Sequence, residues 1–272
     1  MNPNSPADAD FFGWVIYLLS KYGPIFLHGA GVTLLLALVG TLIGCLIGLL
    51  VGVLRTVPLS PNANPAVKVL YKIMQFILAA YIEIFRGTPM IVQAMVVYYG
   101  AMQVFQIDMS AMFAGFLVVS INTGAYMAET VRVGIDSIDV GQTEAAKAIG
   151  MTHWQTMISV IMPQTIRNIM PQIGNNLIIN IKDTSVLNVI SVTELYFSGN
   201  SAAGAYYRYF EVFFIISVMY FIMTFTCSRF LRWMEHKIDG SSYYSLVKSD
   251  MMADPCGHNP VKTQGGKGTW TK

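Results

Sequence analysis

Residues 26–54 read FLHGAGVTLLLALVGTLIGCLIGLLVGVL, which is 29 positions without Asp, Glu, Lys or Arg. About 20 apolar residues are enough for a helix to span the hydrocarbon core of a bilayer. Further runs without these four residues cover 87–107, 111–128, 168–181, 184–193 and 212–228. The alternative, a soluble protein with very apolar core helices, is difficult to reconcile with so long a run in a chain of 272 residues. We therefore predict an all-α polytopic membrane protein.

The positions of Lys and Arg predict the orientation of the chain, because short cytosolic loops carry an excess of both. Both residue types concentrate in 55–72, in 129–167 and at the end of the last apolar run, where Arg229, Arg232 and Lys237 lie. Residues 1–25 hold only Lys21, residues 105–110 hold none, and residues 195–211 hold only Arg208. This alternation predicts about five transmembrane helices, with the N-terminus outside and the C-terminus inside. The crossings are expected at about 26–54, 69–107, 111–135, 165–193 and 209–233.

The second predicted crossing is too long for one straight helix. Its 39 residues would measure about 58 Å at 1.5 Å per residue, nearly twice the hydrocarbon thickness. The segment EIFRGTP (83–89) interrupts it, and Pro89 disfavours a helical residue before it. Two crossings would place a basic loop outside, so we favour one crossing preceded by a bent or interfacial helix. Arg86 and Thr88 are expected to shape this break rather than to contact a transported molecule.

The first crossing carries glycine at every fourth position, at 40, 44, 48 and 52. Small residues at this spacing lie on one helix face and allow two helix backbones to approach closely in lipid. Glycine is also simply frequent in membrane helices. The regular spacing favours a packing seam, either within the subunit or against a partner.

The two ends of the chain differ from its middle in composition. Residues 1–25 hold Phe11, Phe12 and Trp14, and aromatic rings prefer the membrane surface, so this segment is expected to be extracytoplasmic or interfacial. Residues 239–272 are polar and are expected to form a flexible cytosolic tail. The GGKGT segment of this tail lacks the spacing of a phosphate-binding loop and follows no strand, so we do not expect ATP to bind there.

A short helix is predicted at about 142–150, in the cytosolic loop 136–154 between the third and fourth crossings. Residues 144–148 are good helix formers, Asp139 is a candidate N-cap and Gly150 is a natural stop. A short exposed helix is unstable alone and needs a surface to lie on. It could dock into a groove on a partner protein, or it could be an ordinary connecting turn.

Resemblance to a known family decides between these interpretations. The segment GQTEAAKAIGMTHWQTMISVIMPQTIRNIMPQIGN (141–175) resembles the EAA signature of permease subunits of bacterial ABC importers. The segments FRGTPMIVQ, NTGAYMAETVRVGIDSI and IKDTSVLNVIS resemble the polar amino acid (histidine/glutamine/arginine) branch, and the likeness covers about 26–238. This resemblance implies an ABC importer transmembrane domain over 26–238, with five or six helices, in the bacterial cytoplasmic (inner) membrane.

The resemblance also implies the partners of the chain. They are two ABC ATPase subunits, a second permease in a homo- or heterodimer, an extracytoplasmic amino-acid-binding protein and the lipid bilayer, with no nucleic acid. The chain is expected to be a transport subunit rather than an enzyme, with no catalytic residue, metal or cofactor, and ATP-Mg is expected on the partner ATPase. The residues expected to couple the chain to that ATPase are Gly141, Glu144, Ala145, Ala146 and Gly150.

Ionisable residues within membrane segments are costly and therefore suggest function. Asn122 and Glu129 share one helix face with Tyr126, and Lys182 and Asp183 interrupt the fourth crossing near Ser185. An amino acid needs donors for its carboxylate and acceptors for its ammonium group. Asn122, Glu129, Lys182, Asp183 and Ser185 are therefore the predicted substrate-binding residues. Alternatively, these groups could pair with one another between helices, or Lys182 could extend towards an interface.

Three other classes of protein are alternatives to this interpretation. A secondary transporter would need inverted repeats or paired broken helices, and the sequence contains neither in recognisable form. A permease for another solute, such as a metal chelate or an opine, is compatible with the EAA segment. A membrane scaffold would leave the ionisable groups of the crossings unexplained.

Overall fold

The computed structural model describes residues 10–59 and 64–238. The predicted tail 239–272, with its GGKGT segment, lies outside the described residues. The described part is built from helices and contains no strand, so the predicted all-α class is confirmed.

The helices follow one another with short connections. Their bounds are α1 Phe11–Thr56, α2 Pro65–Gly87, α3 Met90–Phe105, α4 Ala111–Asp136, α5 Val140–Ala148, α6 His153–Thr156, α7 Met162–Asp183, α8 Leu195–Tyr206 and α9 Tyr209–Ile238. A π-helical turn, Met157–Ile161, joins α6 to α7, and a 3-10 turn, Thr184–Ile190, follows α7.

Three of the described helices, α1, α4 and α9, are long and apolar enough to cross a membrane, and α3 is a shorter apolar helix. The prediction of a polytopic membrane protein is confirmed. The fourth predicted crossing corresponds to α7 and the turn after it, which hydropathy alone does not detect. Polar side chains of α7 are buried and bonded instead: the Asn180 amide donates to the Thr41 hydroxyl at 2.7 Å and to the Thr123 hydroxyl at 2.9 Å.

Helices α2 and α3 together form the second crossing, with the break at Thr88 and Pro89. Ile82 of α2 packs with Ala128 near the end of α4, while Ala94 of α3 packs with Ala114 near the start of α4. The pair therefore runs antiparallel to α4 along most of its length, as one crossing interrupted in the middle. This supports the prediction of one crossing over two.

The glycine seam of α1 packs against α4 within the subunit. Gly40, Gly44, Gly48 and Gly52 face Val119, Thr123, Met127 and Val131 respectively. A Cβ atom added at Gly44 would lie 2.6 Å from the Thr123 Cβ, and one added at Gly52 would lie 2.7 Å from the Val131 Cβ. Normal carbon contacts are about 3.5–4.0 Å, so these backbones approach as closely as they do only because the side chains are missing. The predicted packing seam is confirmed and is intramolecular.

The first helix begins at Phe11 and continues without interruption through residue 25, past Pro24. The Phe11 ring lies 5.4 Å from the Phe214 ring, and Thr33 and Tyr220 both donate to the Glu194 carboxylate. At 1.5 Å per residue, Phe11 and Thr33 are about 33 Å apart along α1, whereas Phe214 and Tyr220 are about 9 Å apart along α9. The N-terminal part of α1 therefore contacts the start of α9, and the extracytoplasmic or interfacial position of residues 1–25 stays a prediction.

Glu194 links three helices in the interior. Its carboxylate is fully buried and caps α8 by accepting from the Tyr196 and Phe197 backbone amides at 2.8 and 2.7 Å. It also accepts from the Tyr220 hydroxyl of α9 at 2.9 Å. A buried carboxylate is tolerated when it receives several hydrogen bonds, so Glu194 needs no transported ligand to explain it.

Candidate functional site

Helix α5 is bounded by the two signals that the sequence predicted. The Asp139 carboxylate accepts from the Gly141 amide at 2.7 Å, and the amide of Gly150 donates to the carbonyl of Lys147 at 3.0 Å. Gly150 has a φ of +85°, a conformation that glycine adopts without a steric penalty. The helix spans Val140–Ala148, two residues earlier than the predicted 142–150.

The predicted coupling residues divide into two groups. Gly141, Glu144, Ala145 and Gly150 are exposed, whereas Ala146 is only 4% exposed. The Ala146 side chain is therefore not on the outer surface of α5, and the contact of these five residues with another protein stays a prediction. Its methyl group lies on the inner face, where α5 packs against α6 and the π-helical turn.

Apolar side chains around α5 are exposed as well. Val140, Ile149 and Trp154 are 70%, 79% and 53% exposed, and together we call them the α5 apolar patch. An exposed apolar patch outside the crossings is typical of a surface that another molecule covers. These three residues are not among the predicted coupling residues, although their position beside Asp139, Gly150 and His153 in a polar loop is a usable signal in the sequence.

A cavity of about 380 Å³ lies where the α2–α3 break, α4 and α7 meet; we call it the outer cavity. Two predicted substrate residues, Asn122 and Asp183, line it. Asp183 forms no ion pair within 4.0 Å in the part of the chain that the structure describes, and it is exposed in the subunit. It is the charged group that this cavity presents.

The amides of the outer cavity are already used inside the protein. The Asn122 amide donates to the Phe85 carbonyl at 3.2 Å and to the Gln93 side-chain oxygen at 2.9 Å. The Asn176 amide donates to the Gln172 carbonyl at 3.1 Å. With the Asn122 and Asn176 donors engaged, the carboxyl oxygens of Asp183 remain as acceptors on the wall of the cavity, which suits an ammonium group.

Glu129 lies apart from Asp183, in a second cavity. Its carboxylate receives the Arg132 guanidinium at 2.6 Å, and Arg55 of α1 lies 3.9 Å away. Arg132 also pairs with Asp136 at 2.7 Å. The geometry therefore favours the alternative role for Glu129, an ion pair between crossings, over direct contact with an ammonium group.

Lys182 and Ser185 do not line either of these two cavities. Lys182 is exposed, and Ser185 is half-buried in the 3-10 turn after α7. Lys182 belongs instead to an exposed polar stripe along α7, which consists of Asn168, Gln172, Asn175, Lys182 and Asp183. Polar side chains at membrane depth face water or other protein rather than lipid, so this stripe marks the side of the subunit that lipid does not cover.

These features define a class of protein. A helical membrane bundle with a polar cavity, an uncovered polar stripe and an exposed short helix outside its crossings is a multi-pass transport subunit. Residues 66–240 match the family described as "Binding-protein-dependent transport system inner membrane component". The chain belongs to this family.

Known relatives and solved structures agree with the family. The chain is 29% identical to the "Arginine transport system permease protein ArtQ" of Bacillus subtilis (strain 168), in an alignment that covers 58% of this chain and 72% of the relative. It is 32% identical to the "Probable amino-acid ABC transporter permease protein PatM" of Vibrio harveyi, in an alignment that covers 58% of this chain and 72% of the relative. Among solved structures, a chain in "Crystal structure of an amino acid ABC transporter with histidines" is 37% identical, with a TM-score of 0.71, covering 84% of this chain and 98% of that one.

The fold alone is shared with a more distant structure. A chain of the MetNI methionine ABC transporter in an inward-facing conformation superposes with a TM-score of 0.62 at 20% identity, covering 78% of this chain and 97% of that one.

Proposed function

We propose that this chain is the membrane-spanning permease subunit of an ATP-driven importer for polar amino acids in the bacterial cytoplasmic membrane. The observation that carries the proposal is the likeness over 84% of the chain to a structure titled as an amino acid ABC transporter. The names of the curated relatives, which include arginine and amino-acid permeases, point the same way.

The motor of the proposed importer is a separate ABC ATPase that holds ATP-Mg. Helix α5 docks on that ATPase through the exposed Gly141, Glu144, Ala145 and Gly150, and the α5 apolar patch widens the contact. Because Ala146 anchors α5 to the turn at the base of α7, movement of α5 is passed to the helix that lines the outer cavity. Alternate opening of the cavity to the two sides of the membrane would follow from ATPase closure and release.

A second permease covers the polar stripe of α7. Its polar groups cannot face lipid without a large cost, and a second subunit would enclose them around a water-filled path. This argument supports a homo- or heterodimer. In the proposed importer the N-terminus lies outside, and an extracytoplasmic binding protein delivers the amino acid.

The outer cavity is the proposed place where the amino acid binds. Asp183 would accept from the ammonium group, whereas Lys182 and Ser185 do not line this cavity. A volume of about 380 Å³ lies in the range of pockets for small molecules, about 300–1,000 Å³.

The test is uptake by the complete complex. The permease, its ATPase and its binding protein are reconstituted in proteoliposomes, and uptake of each of the twenty radiolabelled amino acids is measured with and without ATP. We expect uptake of at least one polar amino acid that requires ATP and the binding protein. Uptake driven by an ion gradient without ATP would instead assign the chain to the secondary transporters.

A further inference from the structure

The last turns of α9 carry cations and aromatic rings on one face. Arg229, Arg232 and Lys237 are exposed, and Phe230 and Trp233 are 56% and 53% exposed. At 3.6 residues per turn, these five side chains fall within an arc of about 160° around the helix. We call them the basic–aromatic face of α9.

The opposite side of these turns packs against α7. The Leu231 side chain lies 3.3 Å from a Cβ atom added at Gly174, and a Glu235 carboxylate oxygen lies 3.7 Å from the same point. The acidic side chain of these turns is therefore directed towards α7. Among residues 10–59 and 64–238, no carboxylate comes within 4.0 Å of the three cations. The basic–aromatic face therefore carries positive charge that no ion pair of the described residues balances.

Two of the cations are held in place by aromatic rings. The Arg229 guanidinium carbon lies 5.0 Å from the centroid of the Phe225 ring, and the Lys237 Nζ lies 4.2 Å from the centroid of the Trp233 ring. The Phe230 and Trp233 rings are themselves stacked, with centroids 6.0 Å apart. A guanidinium above a ring keeps N–H donors for an anion. Cations that packing already positions lose less freedom when they bind one.

The same side of α9 is apolar nearer the middle of the helix. Val218, Phe221 and Ile222 lie in line with the basic–aromatic face and are 41%, 66% and 56% exposed. Because α9 is long and apolar enough to cross a membrane, we interpret this stripe as the side that contacts lipid tails. The basic–aromatic face continues the stripe towards the end of the helix, at the depth where a lipid headgroup follows its tails.

Contacts between α9 and α7 show at which end of the bundle the basic–aromatic face lies. Tyr220 donates to Glu194, which follows α7 in the chain, whereas Leu231 lies beside Gly174, in the middle of α7. The C-terminal end of α9 is therefore directed towards the start of α7, where α5 and α6 pack. The proposed orientation places this end of the bundle on the cytosolic side.

We propose that the basic–aromatic face of α9 binds the phosphate headgroup of an anionic phospholipid in the cytoplasmic leaflet. Aromatic rings settle at the level of the headgroups, and each Lys or Arg near an anionic membrane surface strengthens the attraction about fivefold. Charge complementarity and the apolar stripe together favour a lipid over an acidic protein, since a protein would not account for the stripe. The inference goes beyond the proposed function, because it concerns the bilayer and not the transported molecule.

The experiment measures quenching of Trp233 fluorescence by lipids with brominated tails. The complete complex is reconstituted in phosphatidylcholine vesicles that contain increasing fractions of brominated phosphatidylglycerol, which is anionic, or brominated phosphatidylcholine, which is zwitterionic. The signal of Trp233 is the difference between each complex and the same complex with Trp233→Phe. We expect the relative association constant to favour phosphatidylglycerol at least tenfold in the wild type.

The variant that tests the site combines Arg229→Gln with Arg232→Gln, and it should lower this preference at least fivefold. The matched control combines Lys68→Gln with Lys72→Gln, which removes the same number of charges from exposed positions on α2. The control should keep the wild-type preference within twofold, because the proposed attraction is local to α9. Equal ATP hydrolysis by all complexes shows that each is assembled.

Four outcomes would overturn the inference. Equal quenching by the two lipids in the wild type would mean that the face selects no anionic headgroup. Quenching by neither lipid would mean that protein covers Trp233. An unchanged preference in the α9 variant, or an equal loss in the α2 control, would show that the face does not hold the lipid. None of these outcomes affects the proposed function, which ATP-dependent uptake tests separately.

Discussion

Replacement of Gly44 by alanine tests the close contact of α1 and α4. The added Cβ would lie 2.6 Å from the Thr123 Cβ and 3.0 Å from the Ser120 carbonyl oxygen, against about 3.5–4.0 Å in a normal carbon contact. Because Ser120 contributes backbone, a side-chain rotation cannot relieve the clash, and the helices must separate by about 1 Å. That movement would also lengthen the bonds from Asn180 to Thr41 and Thr123, now 2.7 and 2.9 Å, beyond hydrogen-bonding distance.

The expected loss of stability is the sum of these effects. Overpacking costs about 1–3 kcal/mol, and each lost hydrogen bond costs about 1 kcal/mol. Gly31→Ala is the control, since it lies on the same helix with no atom within 4 Å of an added Cβ. Both variants gain the same helix propensity, so their difference isolates the clash and the lost bonds, at about 3–5 kcal/mol.

The assay is the thermal unfolding midpoint of the purified permease in one detergent. We expect Gly44→Ala to unfold about 6–20 °C below Gly31→Ala, at about 2–4 °C per kcal/mol for domains of this size. Equal midpoints would refute the reasoning, because they would mean that α1 and α4 have room for a methyl group at this position.

Three further predictions concern coupling, stability and substrate binding. Gly150→Val should reduce ATP-driven uptake at least tenfold while the ATPase continues to hydrolyse ATP, because valine strains the +85° φ that ends α5. The control Gly100→Val, with no atom within 4 Å of its added Cβ, should retain uptake. Loss of ATP hydrolysis in Gly150→Val would contradict the coupling role. Glu194→Leu should lower the unfolding midpoint more than Tyr220→Phe, since leucine leaves two backbone amides and the hydroxyls of Thr33 and Tyr220 without this acceptor, whereas Tyr220→Phe removes one bond. Similar midpoints would show that these donors find other partners. Asp183→Asn should raise the KM for amino-acid uptake about tenfold through loss of a charge-assisted bond to the ammonium group, and an unchanged KM would remove Asp183 from the site.

The predicted substrate-binding residues show that a membrane sequence identifies ionisable side chains but does not assign their roles. Ionisable side chains in apolar runs identified Glu129 and Asp183 together, because both are costly in lipid. Only their neighbours distinguish them: Glu129 is held by Arg132 and Arg55, while Asp183 faces a cavity. Arg86 and Thr88 were both predicted to shape the break, but Thr88 and Gln93 form its hydrogen bonds, while Arg86 lines the same cavity as Glu129.

The sequence by itself determined the properties that depend on neighbours along the chain. The 29-residue run without charged residues identified 26–54 as a membrane helix, and the glycines at 40, 44, 48 and 52 marked its close-packing face. Asp139 and Gly150 set the limits of α5. These are local consequences of hydrophobicity, helical periodicity and backbone sterics, and no distant residue is needed for them.

Tertiary structure alone decided which surfaces meet. It placed the glycine face on α4 rather than on a partner, joined α2 and α3 into one crossing, and buried Asn180 between Thr41 and Thr123. Helical periodicity specifies a face but not the face that it packs against. Hydropathy likewise counts a polar side chain as unfavourable in the membrane without knowing whether another helix will supply its hydrogen bond.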